Sequence, residues 1–174
     1  MFLTSGSLNE KILNEIGFNM LGRGKFMTFI ITISAAVALG ISEIVFAASK
    51  YYILWFAMAA VLFIELFMTK RSYVKSNLEH MIENEGAPEY LCSTAFSDRG
   101  LLMRNDRTNK ATYVRFEALV DIVKLDSVFA LFTDKRGFAC VFRNALSKED
   151  EKNFIRYLKS KPTSIKWRRK GRLA

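Results

Sequence analysis

The residues best equipped for chemistry in this chain are two glutamates set in oily surroundings, Glu43 and Glu65, and a cationic cluster around one tryptophan: Lys166, Trp167, Arg168, Arg169, Lys170 and Arg172. An ionisable group inside a bilayer costs some kcal/mol to desolvate, which makes each glutamate an intramembrane candidate for lining a proton or ion path. Each also lies near the end of its apolar run, Glu43 on one side and Glu65 on the other, where water or headgroups reach it. The cationic cluster offers a different chemistry. Each cation beside an anionic leaflet contributes on the order of 1 kcal/mol, and a tryptophan prefers the headgroup boundary. The cluster is therefore assigned to membrane-surface contact with anionic lipid headgroups, against the alternative of a solvated terminus.

The remaining reactive side chains point away from catalysis. Cys92 and Cys140 sit in alternating segments and share a face with Tyr90, Phe96, Phe138 and Phe142, where cysteine packs as a small hydrophobe. A single histidine, His80, cannot build a usual zinc site. Asp121, Asp126, Glu149, Asp150 and Glu151 fall on turns, polar strand faces or the first turn of a capped helix, where solvation and the helix dipole account for them. No nucleophile elbow, phosphate-binding loop, dinucleotide fingerprint, zinc-protease motif or kinase signature occurs. The expectation is a protein with no enzymatic activity, no metal and no cofactor.

The elements that hold these residues begin with two apolar runs, 26–46 and 51–68, each reaching roughly 27 to 32 Å as a helix, about the thickness of a bilayer's hydrocarbon core. The first run is too long for a signal-peptide core and a second span follows at once, so it is read as retained. Lys11, Arg23 and Lys25 precede the pair and Lys70, Arg71 and Lys75 follow it, while the short link carries only Lys50. The positive-inside rule then puts both termini in the cytoplasm, with Tyr51, Tyr52 and Trp55 at the outer boundary. Ser34, Ala35, Ala38, Gly40 and Ser42 allow close helix contact within the hairpin or between copies, so a homo-oligomer is open. The chain has 174 residues, 51% of them hydrophobic, and a formal charge of +9 that gathers in the last sixteen positions. A basic tail on a nearly neutral body argues against a nucleic-acid-binding fold, whose cations line a folded groove.

Ahead of the spans, Ser7 and Glu10 match a capping box, and Leu8, Ile12, Ile16 and Met20 repeat at every fourth position. This predicts an amphipathic lead-in helix within residues 1–24 that ends at Gly22 and Gly24 and either lies in the interface or docks on the domain. Past the hairpin (25–70) the helical pattern of Val74, Leu78, Met81 and Ile82 continues as a stalk, 71–86, until Gly86 and Pro88. Six strands then follow by alternation and turn residues, at 90–96, 101–105, 111–116, 119–125, 128–133 and 138–142. Ser147 with Asp150 caps a last amphipathic helix, 148–159. The expected fold class is α+β: a transmembrane hairpin plus a small antiparallel sheet or partly open barrel over 87–160, closed at one end by that helix, with a basic tail at 161–174.

The order of an amphipathic lead-in, two adjacent spans, the Phe96 to Gly100 turn, a strand with Tyr113 and Phe116, the polar-alternating strand at 121–125, the aromatic strand at 129–132, the 137–142 strand and the 146–158 helix resembles the YcxB-like family of two-span bacterial membrane proteins. The resemblance implies a cytoplasmic domain similar to the seven-stranded pleckstrin-homology (PH) barrel, a place in the bacterial cell membrane, and no transferred active site. The functional expectation is a membrane-anchored binding or scaffolding module for an unidentified protein, peptide or lipid headgroup. The alternative is a transporter or channel subunit built from hairpins, with the membrane glutamates lining its path.

Overall fold

The computed structural model describes residues 3–47, 50–134 and 137–165. The chain forms two compact units, one comprising the residues up to Ile16 together with those from Asn77 onward, the other Gly17–Ser76.

The first unit contains seven strands rather than six: β1 (Leu3–Leu8), β2 (Tyr90–Phe96), β3 (Gly100–Asn105), β4 (Ala111–Arg115), β5 (Leu119–Lys124), β6 (Val128–Thr133) and β7 (Phe138–Phe142). They form two antiparallel sheets, β1-β2-β3-β4 and β5-β6-β7. The additional strand corrects the reading of Ser7 as a helix cap. β1 runs antiparallel to β2 from Leu3↔Ala95 to Leu8↔Tyr90, and Ser7 Oγ donates to the Glu89 carboxylate. Asn9 caps the following helix, α1 (Glu10–Met20), by accepting from the Ile12 N–H at its side chain (3.2 Å) and from the Leu13 N–H at its carbonyl (3.0 Å).

The connection between neighbouring strands β1 and β2 thus contains both long helices, α2 (Arg23–Ser42) and α3 (Tyr52–Glu85). Because β1 and β2 exchange ladder hydrogen bonds, they occupy the same compartment, and whatever the intervening segment crosses it crosses an even number of times.

The core of this unit lies between the sheets and gathers Phe96, Leu101, Phe116, Leu119, Ile122, Phe129, Leu131 and Val141. The last helix, α4 (Lys148–Lys159), buries Phe154 and Leu158 in it, each contributing roughly 1.5–3 kcal/mol by removal from water. Ser147 and Asp150 form a reciprocal capping box at its start. Near its end Tyr157 donates to the Ser97 carbonyl at 2.8 Å, so α4 closes the end of the sheets where the β2–β3 turn lies. At one corner β1 comes close to β7: a Cβ on Gly6 would stand 2.3 Å from the Phe142 ring. Beside it, Thr94 Oγ1 on β2 donates to the Cys140 carbonyl on β7 at 2.7 Å. The first half of α1 docks here too, with Leu13 and Ile16 fully buried and Glu15 Oε1 accepting from the Ser127 N–H at 2.8 Å.

In the second unit, α2 and α3 pack along a seam that buries Ala36, Gly40, Ala59 and Leu66. Gly40 allows a close approach there, since a Cβ would sit 3.1 Å from the Phe56 ring. Phe18 packs edge-on to Phe67 at 5.4 Å, with Lys70 Nζ 4.5 Å from the Phe18 ring centre. The helices over Gly24–Phe46 and Tyr52–Glu85 are long and apolar enough to cross a membrane, and only 11% of the apolar window of each is buried. Core helices of a water-soluble fold bury such windows; these leave Ile31, Leu54, Val61, Phe63, Ile64 and Met68 exposed. α2 ends in a π-helical turn, Glu43–Ala47, and Gly22 enters it at φ +73°, in the left-handed region that glycine favours.

Candidate functional site

The outer face of the four-stranded sheet is an exposed surface of the first unit. Strand alternation turns Leu3, Ser5 and Ser7 of β1 outward with Leu91, Ser93 and Ala95 of β2, Leu102 and Arg104 of β3, and Ala111, Tyr113 and Arg115 of β4. The registers Leu3↔Ala95, Ala95↔Leu102 and Leu102↔Tyr113 make one apolar row across all four strands, in which Leu3 is 67% and Tyr113 49% exposed. The Tyr113 ring covers Gly100, where a Cβ would meet its hydroxyl at 2.8 Å.

At one end of this face an open groove of about 420 Å³ is lined by Ser7, Glu89, Tyr90, Leu91, Asp106 and Arg107. Hydrogen bonds from Ser7 and then Asn9 hold the Glu89 carboxyl below the usual carboxylate range, while burial pushes the Tyr90 phenol up. Ser93 Oγ donates to Asp106 Oδ1 at 2.7 Å. The adjoining β3–β4 loop is strapped to the end of α3: Glu85 Oε2 accepts from Asn105 Nδ2 (2.5 Å) and Thr108 Oγ1 (2.8 Å), and Lys110 Nζ donates to the Asn84 carbonyl. Asn105 Oδ1 in turn accepts from the Arg107 and Thr108 N–H groups. An ionised carboxylate, a protonated phenol and hydroxyls committed to neighbouring groups suit recognition of a ligand. The Ser7 hydroxyl stands within hydrogen-bond reach of the Glu89 carboxylate, but a carboxyl held below its usual range is a weak base toward a hydroxyl.

The structure does not bring the two glutamates of the apolar helices together. Opposition of Gly40 and Phe56 sets the register of the hairpin, from which Glu43 and Glu65 stand roughly 18 Å apart along its axis at the rise of about 1.5 Å per residue. Glu43 is half-buried in the π-helical turn, and Glu65 is exposed on α3. Lys166, Trp167, Arg168, Arg169, Lys170 and Arg172 lie outside the described residues, as do Lys135 and Arg136 of the β6–β7 connection.

Cys92 and Cys140 are both free and buried. Burial first, and the nearby Asp106 second, push the Cys92 thiol up to about 12, and burial pushes Cys140 up as well; neither is a thiolate nucleophile at neutral pH. His80 pairs with Glu83 at 3.6 Å on the exposed side of α3. Of the acids weighed for catalysis, Glu151 is engaged structurally. It bonds Arg143 Nε at 2.6 Å and Lys124 Nζ at 3.2 Å, while Arg143 also donates to the Leu125 carbonyl at 2.6 Å. Among the described residues no three of histidine, cysteine, aspartate and glutamate converge as a metal site requires.

No protein-family model, curated protein or solved structure matches the chain. Sequence reasoning missed Ser7, Glu89 and Arg107 as neighbours in the groove, because their proximity depends on β1 pairing with β2 across the long helical connection.

Proposed function

We propose that this protein is a membrane-anchored binding or scaffolding module of the YcxB-like kind, and that it has no catalytic role. In this reading the hairpin crosses the bacterial cell membrane twice and holds the sheet domain on the cytoplasmic side, where the sheet face and groove take a peptide, a protein partner or a lipid headgroup. The observation that carries it is the insertion of two exposed, apolar helices into the β1–β2 connection of a domain with an open sheet face. The excess of cations flanking the hairpin favours the cytoplasmic orientation. The four-plus-three strand order with a closing C-terminal helix favours a PH-like barrel, a likeness of fold that specifies no ligand. The tail around Trp167 is proposed to lie on the inner leaflet.

A photo-crosslinking residue at Leu91 or Tyr113 of the full chain, in native membranes, tests the binding reading. Discrete protein or lipid adducts at these positions and none at Val120 are expected. Adduct-free protein, together with an ion flux in proteoliposomes abolished by Glu43→Gln and Glu65→Gln, would replace a binding module with a transporter.

A further inference from the structure

The four-stranded sheet ends at β4, and nothing among the described residues pairs with its outer side. Sheets usually blunt such an edge. β5 carries a register shift between Leu119 and Asp121, and its Asp121 side chain accepts from the Ile122 N–H at 3.0 Å. The free side of β1 faces β7 at the Gly6–Phe142 approach. β4 has neither bulge nor proline, and of Ala111, Thr112, Tyr113, Val114 and Arg115 only Val114 is even half-buried.

The backbone groups on this edge follow from the ladder. The Asn105 N–H donates to the Lys110 carbonyl at 2.9 Å, which makes that pair a hydrogen-bonded one. Alternation along an antiparallel ladder then makes Met103↔Thr112 and Leu101↔Val114 hydrogen-bonded as well. The N–H and C=O groups of Ala111, Tyr113 and Arg115 consequently point away from β3, and no hydrogen bond to them is made among the described residues.

We infer that the β4 edge of the proposed binding module takes an extended peptide as a fifth strand, and that the peptide is acidic around a central apolar residue. Side chains turned to the outer face of such a strand would lie beside Arg115, Tyr113 and Ala111 in succession. Tyr113 ends the exposed apolar row and matches an apolar neighbour. Arg115 flanks it on one side. On the other, the Arg104 guanidinium reaches Asn109 Oδ1 at 2.5 Å, just before the start of β4, so its charge sits at the Ala111 end of the edge. Neither arginine forms an ion pair among the described residues. The edge therefore selects the order acidic, any, apolar, any, acidic, which reads alike in either strand direction. A second copy of the chain fits less well. Antiparallel β4–β4 pairing centred on Tyr113 would set Arg115 of one copy beside Ala111 of the other, with Arg104 across from that Ala111, cation against cation.

The test uses the full chain in phosphatidylcholine nanodiscs and the fluorescence anisotropy of a labelled peptide containing Glu-Val-Phe-Val-Glu. Binding is expected, and Ala111→Pro, which removes an outward N–H and no ladder bond, should weaken it at least tenfold. Arg104→Glu with Arg115→Glu should weaken it similarly and create binding of Lys-Val-Phe-Val-Lys, a gain that misfolding does not produce. Peptide binding that survives both changes overturns the edge assignment and leaves the binding reading intact. So does absence of peptide binding while adducts persist at Leu91. Absence of both binding and adducts overturns the two together.

Discussion

At the scale of single residues, several charged groups of the sheet domain hold turns. Arg143 gathers the β5–β6 turn and the first turns of α4 through the Leu125 carbonyl and Glu151, and the hydrogen bond from Arg143, followed by that from Lys124, holds the Glu151 carboxyl below its usual range. A depressed carboxyl stabilises the fold above its unfolded value, about 4.3, and this contribution disappears as pH falls through the lower folded value. Glu151→Gln should cost about 1 to 3 kcal/mol near neutral pH, measured by denaturant unfolding. The gap between variant and wild type should close as the solution is acidified below that unfolded value. A gap independent of pH would mean that packing, and not the ion pair, is what the substitution removes.

At the scale of elements, the strands from β2 onward are legible in the sequence because their alternation and turn residues are strong, and α4 because Ser147 and Asp150 stand three apart before an apolar stripe. β1 is not, and the reason is local. Its inward positions are Thr4, Gly6 and Leu8, so no hydrophobic alternation marks it, while Leu8 extends the helical stripe of Ile12 and Ile16 and draws the helix reading outward. Gly6 is there because β1 must approach β7 closely enough that the Phe142 ring occupies the space of a side chain. Gly6→Ala should therefore force that ring to move and destabilise the domain by about 1 to 3 kcal/mol, seen as a lowered unfolding midpoint with an unchanged slope. A neutral outcome would mean that the β1–β7 corner is looser than the contact implies. The candidate surface was hidden for a related reason: which strand ends a sheet, and which residues line the groove, depend on long-range pairing that no local pattern encodes.

At the scale of the whole molecule, the central claim is topological. A strand before the hairpin and a strand after it are neighbours in one sheet, so the apolar helical segment is a loop of the domain, and the domain is not an appendage hung from its end. Ser5 and Ser93 stand directly opposite each other across β1 and β2, within the Cα separation that a disulfide tolerates. Ser5→Cys with Ser93→Cys, in a background with Cys92→Ala and Cys140→Ala and a protease site inserted at Lys50, brings pairing and crossing into one measurement. Membranes are oxidised, and protease is added to the outer side only. Cleavage is expected, with the product migrating at full length without reductant and as two fragments with it. Fragments that separate without reductant would contradict the β1–β2 pairing, and a site cut only after the membrane is opened would contradict the crossing.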